Sequence, residues 1–103
     1  LDGLKQEYKN LLASSKSPLQ KTEAFRENAQ RNRYPDIVCW DATRVQLTHD
    51  VPPATDYIHA NWVKFDNFDR VYILTQAPLQ NTIGDFWRMV LQCQSPSIVN
   101  LTQ

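Results

Sequence analysis

One short stretch of the sequence pairs a cysteine with an arginine, two side chains that together can handle a phosphate group. In "RNRYPDIVCWDATRV", residues 31–45, Cys39 is followed by Arg44 with four residues between them. A cysteine that attacks phosphorus sits in a Cys-x5-Arg loop, where backbone N–H groups cradle the phosphate and lower the thiol pKa while the arginine grips two oxygens. The loop in this sequence is one residue too short for that chemistry.

Glycine usage gives a second argument against a phosphate-binding loop. Such a loop needs glycine wherever its backbone takes a positive φ or approaches the ligand closely. The chain has only Gly3 and Gly84, neither near a cysteine, and no arginine follows Cys93. Free cysteines are commonly small buried residues, so we expect Cys39 and Cys93 to be buried and no residue of this chain to be a catalytic nucleophile.

No other reactive arrangement stands out in the sequence. His49 and His59 are isolated, and no G-x-S-x-G elbow, Walker loop or H-E-x-x-H pair is present. The two cysteines have the spacing of neither a disulfide framework nor a zinc site, so no metal is expected. Loop carboxylates form two close pairs, Asp36 with Asp41 and Asp66 with Asp69. We expect these to be solvated charges rather than an acid–base pair.

Composition limits the class of protein. A chain of 103 residues, 42% of them hydrophobic, has room for one domain. Eleven acidic and eleven basic residues leave no net charge, which excludes the basic signature of a nucleic-acid-binding protein. No apolar run approaches the roughly 18 residues of a membrane span, and the start lacks a signal-peptide pattern. We therefore expect that this segment does not insert into a membrane and that the protein is cytoplasmic.

Helices and a loop are predicted for the first part of the chain. Apolar side chains within residues 1–12 fall at i, i+4, i+7 and i+8, the spacing of an amphipathic helix. A shorter and more polar helix is predicted over residues 21–30. Residues 32–43 show no sustained period, and Pro35 pushes Tyr34 toward an extended conformation, so a long ordered loop is expected there.

Strands are predicted after this loop. They cover residues 44–47, 56–65 and 70–76, with a hairpin turn between the last two. The strand at 70–76 contains an unbroken apolar run, which predicts that it is covered on both faces. Residues 97–102 form another apolar run, which predicts a buried strand where the sequence stops, as if the domain had been cut there.

The best-defined helix is predicted after residue 82. Thr82 and Asp85 have the spacing of a capping box. One face of this helix is apolar, with Ile83, Phe86, Trp87, Val90 and Leu91, and Phe86 and Trp87 are predicted to be core residues. Together these elements place the chain in the α/β (α+β) class, with helices packed on a mixed sheet that is incomplete in this chain alone.

Several segments, taken in order, resemble a single protein family. They are NRYPDI (32–37), DATRVQL (41–47), DYIHANWV (56–63), VYILTQAPLQNTIGDFWRMV (71–90) and SIVNLT (97–102). They are similar to the patterns N-R-Y-x-D, D-x-x-R-V, D-Y-I-N-A-N-Y, T-Q-G-P-L-x-N-T-x-x-D-F-W-x-M-V and V-x-L-T in the amino-terminal half of the classical protein tyrosine phosphatase domain. EYKNL (7–11) also resembles that family's opening E-F-x-x-L, so the resemblance covers nearly the whole chain.

The resemblance implies one partial domain over residues 1–103. Residues 1–31 would be a helical lead-in, 32–43 the phosphotyrosine recognition loop, and 44–103 sheet strands with one amphipathic helix. Tyr34 would stack on the substrate ring and set the depth of the cleft, and Asp36 would accept hydrogen bonds from backbone N–H groups of the substrate peptide. Asn32, Arg33, Asp41 and Arg44 are expected to hold the loop and the first strand by hydrogen bonds.

The resemblance also implies a partner and a reaction. The partner is a phosphotyrosine-containing protein or peptide. The reaction uses a thiolate and an arginine, so no organic cofactor is implied. In the family these groups come from an H-C-x-x-G-x-G-R loop and the general acid from a W-P-D loop, and neither motif occurs in this sequence. The catalytic set within this chain is therefore expected to be empty, and the chain to be inactive alone.

Three positions depart from the family pattern: His59 stands for Asn, Trp62 for Tyr and Ala77 for Gly. Ala77 would be strained if its position accepted only glycine. These departures favour an alternative, a non-catalytic phosphotyrosine-binding or protein-interaction module. In the main interpretation the parent is an active tyrosine phosphatase, which could itself be membrane-anchored with this domain inside the cell. An unrelated soluble α/β domain would require coincidence at every matching motif.

Overall fold

The computed structural model describes residues 20–102, so the helix predicted over residues 1–12 lies outside the described residues. The elements in chain order are helix α1 (Glu23–Glu27), a 3-10 turn (Ala29–Arg31), strands β1 (Arg44–Gln46), β2 (Tyr57–Lys64) and β3 (Val71–Thr75), and helix α2 (Ile83–Cys93). The predicted α/β (α+β) class is confirmed by this arrangement of helices and sheet.

The three strands form one antiparallel sheet in the order β1-β2-β3. Ala60 lies opposite Thr75 and Lys64 opposite Val71, so β2 and β3 form a hairpin. The expected mixed sheet is not found among residues 20–102. The links that follow β1 and β2 are short, and a parallel pair needs a crossover of a dozen or more residues.

Strand β2 divides the core into two parts, because successive side chains of a strand point to opposite faces. On one face, the sheet packs against α2 through a buried cluster of Val45, Leu47, Ile58, Ala60 and Met89, with Ile73, Phe86 and Cys93 at its margin. On the other face, a smaller cluster joins Tyr57 to Phe25 and Cys39, with Ala24 and Val38 beside it. The second cluster includes Val38 and Cys39 and therefore packs the 32–43 segment against the sheet.

Helix α2 packs on the sheet through a different stripe from the predicted one. Met89 is its buried residue, and Phe86 packs beside it. Trp87 was predicted to be core but is 56% exposed, and Leu91 is 72% exposed. The helix is apolar on a broad arc, and the described sheet covers only the part of that arc that carries Phe86, Met89 and Cys93.

The predicted capping box at the start of α2 is wrong. The Thr82 hydroxyl accepts a hydrogen bond from the Leu79 N–H at 2.8 Å and caps no N–H of the helix. Asp85 instead pairs with Arg88, with 3.1 Å between Oδ1 and Nη1. The hydroxyl of Thr82 thus closes the turn that precedes the helix, which leaves the carboxylate free to bind one turn along.

Helix α2 also fixes the link between β1 and β2. The Arg88 guanidinium donates hydrogen bonds to the backbone carbonyls of Thr55 and His49. The Gln92 carboxamide accepts from the Thr48 N–H at 2.8 Å and donates to the Gln46 carbonyl at 2.9 Å. These contacts satisfy backbone groups that the irregular link cannot pair within itself.

Large apolar side chains stay exposed on β3 and after α2. Leu74 is 64% exposed, which corrects the prediction that β3 is covered on both faces. Residues 97–102 form no strand, and Val99 and Leu101 are 79% and 89% exposed. Both predictions required neighbouring strands, and the described residues supply only β2 as a partner.

We expect the 103-residue chain expressed alone to be marginally stable and to self-associate, because β3, the outer face of α2 and the 97–102 segment expose apolar surface. Sedimentation velocity over a range of protein concentrations should show reversible or irreversible association, and thermal unfolding should be broad. A monomer with a sharp cooperative melt would contradict this expectation.

Candidate functional site

The loop of residues 32–43 lies across the face of the sheet opposite α2 and contains no helix or strand. Its far end is fixed to α1 by Asp41. The two carboxylate oxygens of Asp41 accept hydrogen bonds from the N–H groups of Glu23, at 2.8 Å, and Ala24, at 3.1 Å. These N–H groups belong to the first turn of a helix and have no partner within it, so a carboxylate is well suited to bind them.

The near end of the loop is fixed to the core by Asn32. Its amide donates to the Phe25 carbonyl at 2.9 Å, and its side-chain oxygen accepts from the hydroxyl of Tyr57. Tyr57 is fully buried. Burial is the main cause that raises the pKa of Tyr57, and the neighbouring Cys39 raises it further. The phenol therefore stays protonated and remains a hydrogen-bond donor to Asn32.

A set of long-range hydrogen bonds, which we call the loop linkage, joins Arg31 and Arg33 to residues 76–78. Gln76 accepts from the Arg33 N–H at 2.8 Å and donates to the Arg31 carbonyl at 2.8 Å. The Arg33 guanidinium donates to the carbonyls of Ala77, at 2.9 Å, and Pro78, at 2.7 Å. The loop is thus held on the segment that connects β3 to α2.

Tyr34 and Asp36 lie on the loop between these fixed points. Tyr34 is 53% exposed, and Asp36 is also exposed. Among residues 20–102 neither side chain makes a hydrogen bond, so both are free to contact another molecule. Ile37, next to Asp36, is 54% exposed and extends this surface.

A groove of about 280 Å³, which we call the loop groove, separates the loop from β3. Its lining includes Tyr34, Ile37 and Val38 from the loop, His59 from β2, and Leu74 and Gln76 from the β3 side. The walls are mostly apolar with a few polar groups, which is the usual composition of a ligand site. Tyr34 is the most polar of the exposed side chains on the loop wall.

Arg44 is not part of the loop groove. Its guanidinium pairs with Asp56, with 3.3 Å between Nη2 and Oδ2, and also donates to the Asp56 carbonyl at 3.4 Å. The structure thus brings Asn32, Arg33 and Tyr34 together at one end of the loop. Arg44 lies with β1 and the link to β2.

Two further asparagines make long-range contacts that sequence reasoning did not single out: Asn61 binds the loop, and Asn81 binds the 3-10 turn that precedes it. Asn61 on β2 donates to the Trp40 carbonyl at 3.1 Å and to the Thr43 hydroxyl at 3.0 Å. Asn81 donates to the Gln30 carbonyl at 3.0 Å. A signal was present in the sequence, since Asn61 interrupts an otherwise β-forming run and a strand interior disfavours asparagine.

The predicted burial is found for Cys39, whereas Cys93 is only partly buried. Cys39 is fully buried, and its Sγ lies 3.8 Å from the Ala60 carbonyl. Burial raises the pKa of the Cys39 thiol, against smaller opposing effects that include Arg44. Burial also raises the pKa of Cys93. Thiols in such surroundings are poor nucleophiles at neutral pH.

The strain suggested for Ala77 is absent. The non-glycine residues with positive φ among residues 20–102 are Asp50 and Gln94, and Ala77 is not one of them. Its carbonyl accepts from Arg33 in the loop linkage. The methyl group at this position therefore requires no unusual backbone conformation.

The described residues contain neither a metal-binding cluster nor a membrane-spanning helix. No group of three or more His, Cys, Asp or Glu side chains within residues 20–102 is arranged to hold a metal ion. Of the helices in the described part, none is both long and apolar enough to span a bilayer.

The sequence is similar to a family of known proteins. The family model for protein-tyrosine phosphatase matches residues 28–103. Receptor-type tyrosine-protein phosphatase F of Mus musculus is 37% identical over 105 residues, which cover 99% of this chain and 6% of that protein. Tyrosine-protein phosphatase 69D of Drosophila melanogaster is 40% identical over 101 residues, which cover 97% of this chain and 7% of that protein.

Solved structures of protein tyrosine phosphatases are also similar to this chain. The catalytic domain of human protein tyrosine phosphatase non-receptor type 18 superposes with a TM-score of 0.70 and 34% identity, covering 89% of this chain and 36% of that chain. A second structure is described as the structural basis of that phosphatase's fingerprint on distinct HER2 tyrosine phosphorylation sites. It superposes with a TM-score of 0.63 and 39% sequence identity, covering 70% of this chain and 26% of that chain. This chain therefore spans well under half of the proteins that it matches.

We expect Gln76→Ala to lower the free energy of unfolding of the full-length protein by about 1–2 kcal/mol, because two side-chain hydrogen bonds of the loop linkage are lost. Urea unfolding measures the change. Gln80→Ala is the matched control: this exposed glutamine lies in the same segment and its side chain makes no hydrogen bond within residues 20–102. Equal effects of the two substitutions would contradict the loop linkage.

We expect Cys39 to react with a thiol reagent far more slowly than Cys93 at neutral pH, because Cys39 is fully buried whereas Cys93 is only partly so. Mass spectrometry of the labelled protein distinguishes the two sites. Denaturant should make their rates similar. Fast labelling of native Cys39 would show that its thiol is accessible and would reopen its candidacy as a nucleophile.

Proposed function

Because the chain belongs to the protein-tyrosine phosphatase family, we propose that it supplies the phosphotyrosine-recognition rim of a domain that dephosphorylates proteins. In this proposal residues 1–103 are one partial domain: a helical lead-in (1–31), the recognition loop (32–43), and strands with one amphipathic helix (44–103). The partner is a phosphotyrosine-containing protein or peptide. The domain acts inside the cell.

The observation that carries the proposal is the contrast between a fixed loop and its free side chains. Asn32, Arg33 and Asp41 attach both ends of the loop to α1, to Tyr57 and to the 76–78 segment. Tyr34 and Asp36, between them, make no side-chain hydrogen bond in the described residues and are exposed. A rigid backbone that presents unpartnered side chains is preorganised for binding, since little ordering is left to occur.

Tyr34 and Asp36 have the chemistry that phosphotyrosine peptides require. The ring of Tyr34 borders the loop groove and can stack on a substrate ring, which contributes about 0.5–1.5 kcal/mol beyond area burial. In this proposal Tyr34 sets the depth of the cleft, so that a phosphotyrosine side chain reaches the nucleophile and the shorter phosphoserine does not. The Asp36 carboxylate only accepts hydrogen bonds, so it suits the backbone N–H groups of a peptide.

We propose that the nucleophile and the general acid come from the parent protein outside these residues. In the proposed reaction a thiolate attacks phosphorus, an acid protonates the leaving tyrosyl oxygen, and water then hydrolyses the phosphocysteine. Within this chain Cys39 and Cys93 are the only thiols, and burial raises the pKa of both. No metal or organic cofactor enters the proposal.

A second candidate function is phosphotyrosine binding without catalysis. The departures at His59 and Trp62 favour it, since both replace the residues typical of the family. The relaxed backbone at Ala77 does not favour it, because that departure causes no strain. Turnover by the full-length protein separates the two candidates.

We expect Tyr34→Ala in the full-length protein to raise KM for a phosphotyrosine peptide about tenfold through the lost stacking. Asp36→Ala should lower kcat/KM for the peptide about tenfold and leave a small aryl phosphate within about twofold, because only the peptide offers backbone N–H donors. Asp66→Ala, in the exposed β2–β3 turn, is the matched control. Steady-state kinetics with both substrates measures these effects.

The outcomes are distinguishable. Binding of the peptide without turnover would favour the non-catalytic module. Absence of both binding and turnover would contradict the family assignment of function. Turnover that is abolished by Cys39→Ala while the protein remains folded would show that the nucleophile had been assigned to the wrong part of the molecule.

A further inference from the structure

His59 occupies an unusual position for a histidine, on β2 directly beneath the 32–43 loop. Its residue is only 8% exposed. The ring meets Phe25 edge to face, with centroids 5.6 Å apart and planes at 79°. The corresponding residue of the family pattern is asparagine, so the ionisable ring is a feature of this chain.

The imidazole has an unused hydrogen-bonding atom. His59 Nδ1 is buried and has no hydrogen-bond partner among the described residues. The same side chain lines the loop groove beside Tyr34 and Val38. A buried polar atom without a partner carries a free-energy cost, and the cost is greater once the group is charged.

The backbone of His59 is connected to the loop linkage. Its carbonyl accepts from the Thr75 hydroxyl at 2.9 Å and from the Gln76 N–H at 3.3 Å. Gln76 in turn binds Arg31 and Arg33. A movement of the His59 backbone would therefore disturb hydrogen bonds on both the loop side and the β3 side of the loop groove.

No charged side chain within residues 20–102 lines the loop groove beside the ring or contributes to its pKa shift. The ring is faced by Phe25 from α1, by Tyr34 and Val38 from the loop, and by Leu74 and Gln76 from the β3 side. Among the described residues, Tyr34 is the one titratable group that shares the groove lining with it. In the buried cluster on this face, the titratable residues that the structure describes are Cys39 and Tyr57, and the raised pKa of each keeps it uncharged at neutral pH.

The charged side chains of the loop are engaged elsewhere or point to solvent. Arg33 binds the carbonyls of Ala77 and Pro78, and Asp41 binds the start of α1. Asp36 is exposed. Burial accordingly lowers the pKa of His59 from its ordinary value of 6.5, against a smaller opposing effect of the Val38 backbone.

We propose that His59 is a positioning residue that makes the recognition loop sensitive to pH, so that proton uptake by its ring loosens the loop and weakens phosphotyrosine-peptide binding. The inference rests on the proposed function of the loop. His59 is only 8% exposed, so full hydration of a charged ring requires the loop to lift from β2 or the ring to turn further into the loop groove. Either movement changes the groove lining that His59 shares with Tyr34.

The direction of the effect follows from linkage. Above about pH 6.5 the ring is neutral whether the loop is closed or open, and the closed loop is fully stable. As the pH falls below that value, the open loop binds a proton more readily than the closed loop, because the closed loop holds the ring at a lowered pKa. Closure is therefore lost progressively on the acid side.

The test compares peptide binding by the full-length protein and its His59→Asn variant at about pH 7.5 and about pH 5.5. The peptide phosphate has its own pKa of about 6, and its titration affects binding to both proteins equally. We expect the dissociation constant of the wild type to rise about threefold more than that of the variant. His49→Asn, which removes an exposed histidine, should behave as the wild type does.

Equal pH dependence of wild type and His59→Asn would overturn the proposal. If asparagine prevents folding, His59→Gln is used instead.

Amide hydrogen exchange at Arg33, whose N–H binds Gln76, gives a second measurement that needs no peptide. If protection of this N–H is lost at the lower pH in the wild type but kept in the variant, the proposal is supported. Equal protection in the two proteins at both pH values refutes it. Absence of peptide binding at either pH would refute the proposed function separately.

Discussion

Strand β2 has to satisfy two apolar environments at once, because its alternate side chains leave the sheet in opposite directions. Ile58 and Ala60 pack toward α2, while Tyr57 and His59 lie beneath the loop. A shift of one residue in its pairing would exchange these two sets and put the histidine in the helix-facing core. The loop, the groove and both clusters therefore depend on the register of this one strand.

The site depends on that register through hydrogen bonds that join distant segments. Tyr57 binds Asn32, Asn61 binds the far end of the loop, and the His59 carbonyl binds Gln76. Each uses a polar group that would otherwise be buried without a partner, so the contacts both satisfy the core and fix the loop. The loop holds its shape without regular secondary structure because its neighbours supply the hydrogen bonds.

Local patterns in the sequence predicted α2, the strands and the irregular loop, because hydrophobic period and turn residues act over a few positions. They did not predict which stripe of α2 is buried, so Trp87 was misassigned, since that choice depends on the surface that the helix meets. Likewise Thr82 bound the preceding turn instead of the helix. The contacts of Asn61 with the loop and of Asn81 with the preceding 3-10 turn were missed for a related reason: their partners lie far away in the sequence.

The long sequence separation between the partners that fix the 32–43 loop has a consequence for the order of assembly. Arg33 and Gln76 are 43 residues apart, and Asn32 and Tyr57 are 25 apart. Closing such long segments costs chain entropy before any contact is gained, so contacts of this kind form late. During synthesis the 32–43 loop leaves the ribosome well before β3 does. The loop therefore cannot form its hydrogen bonds to residues 76–78 until that segment, which follows β3, has emerged.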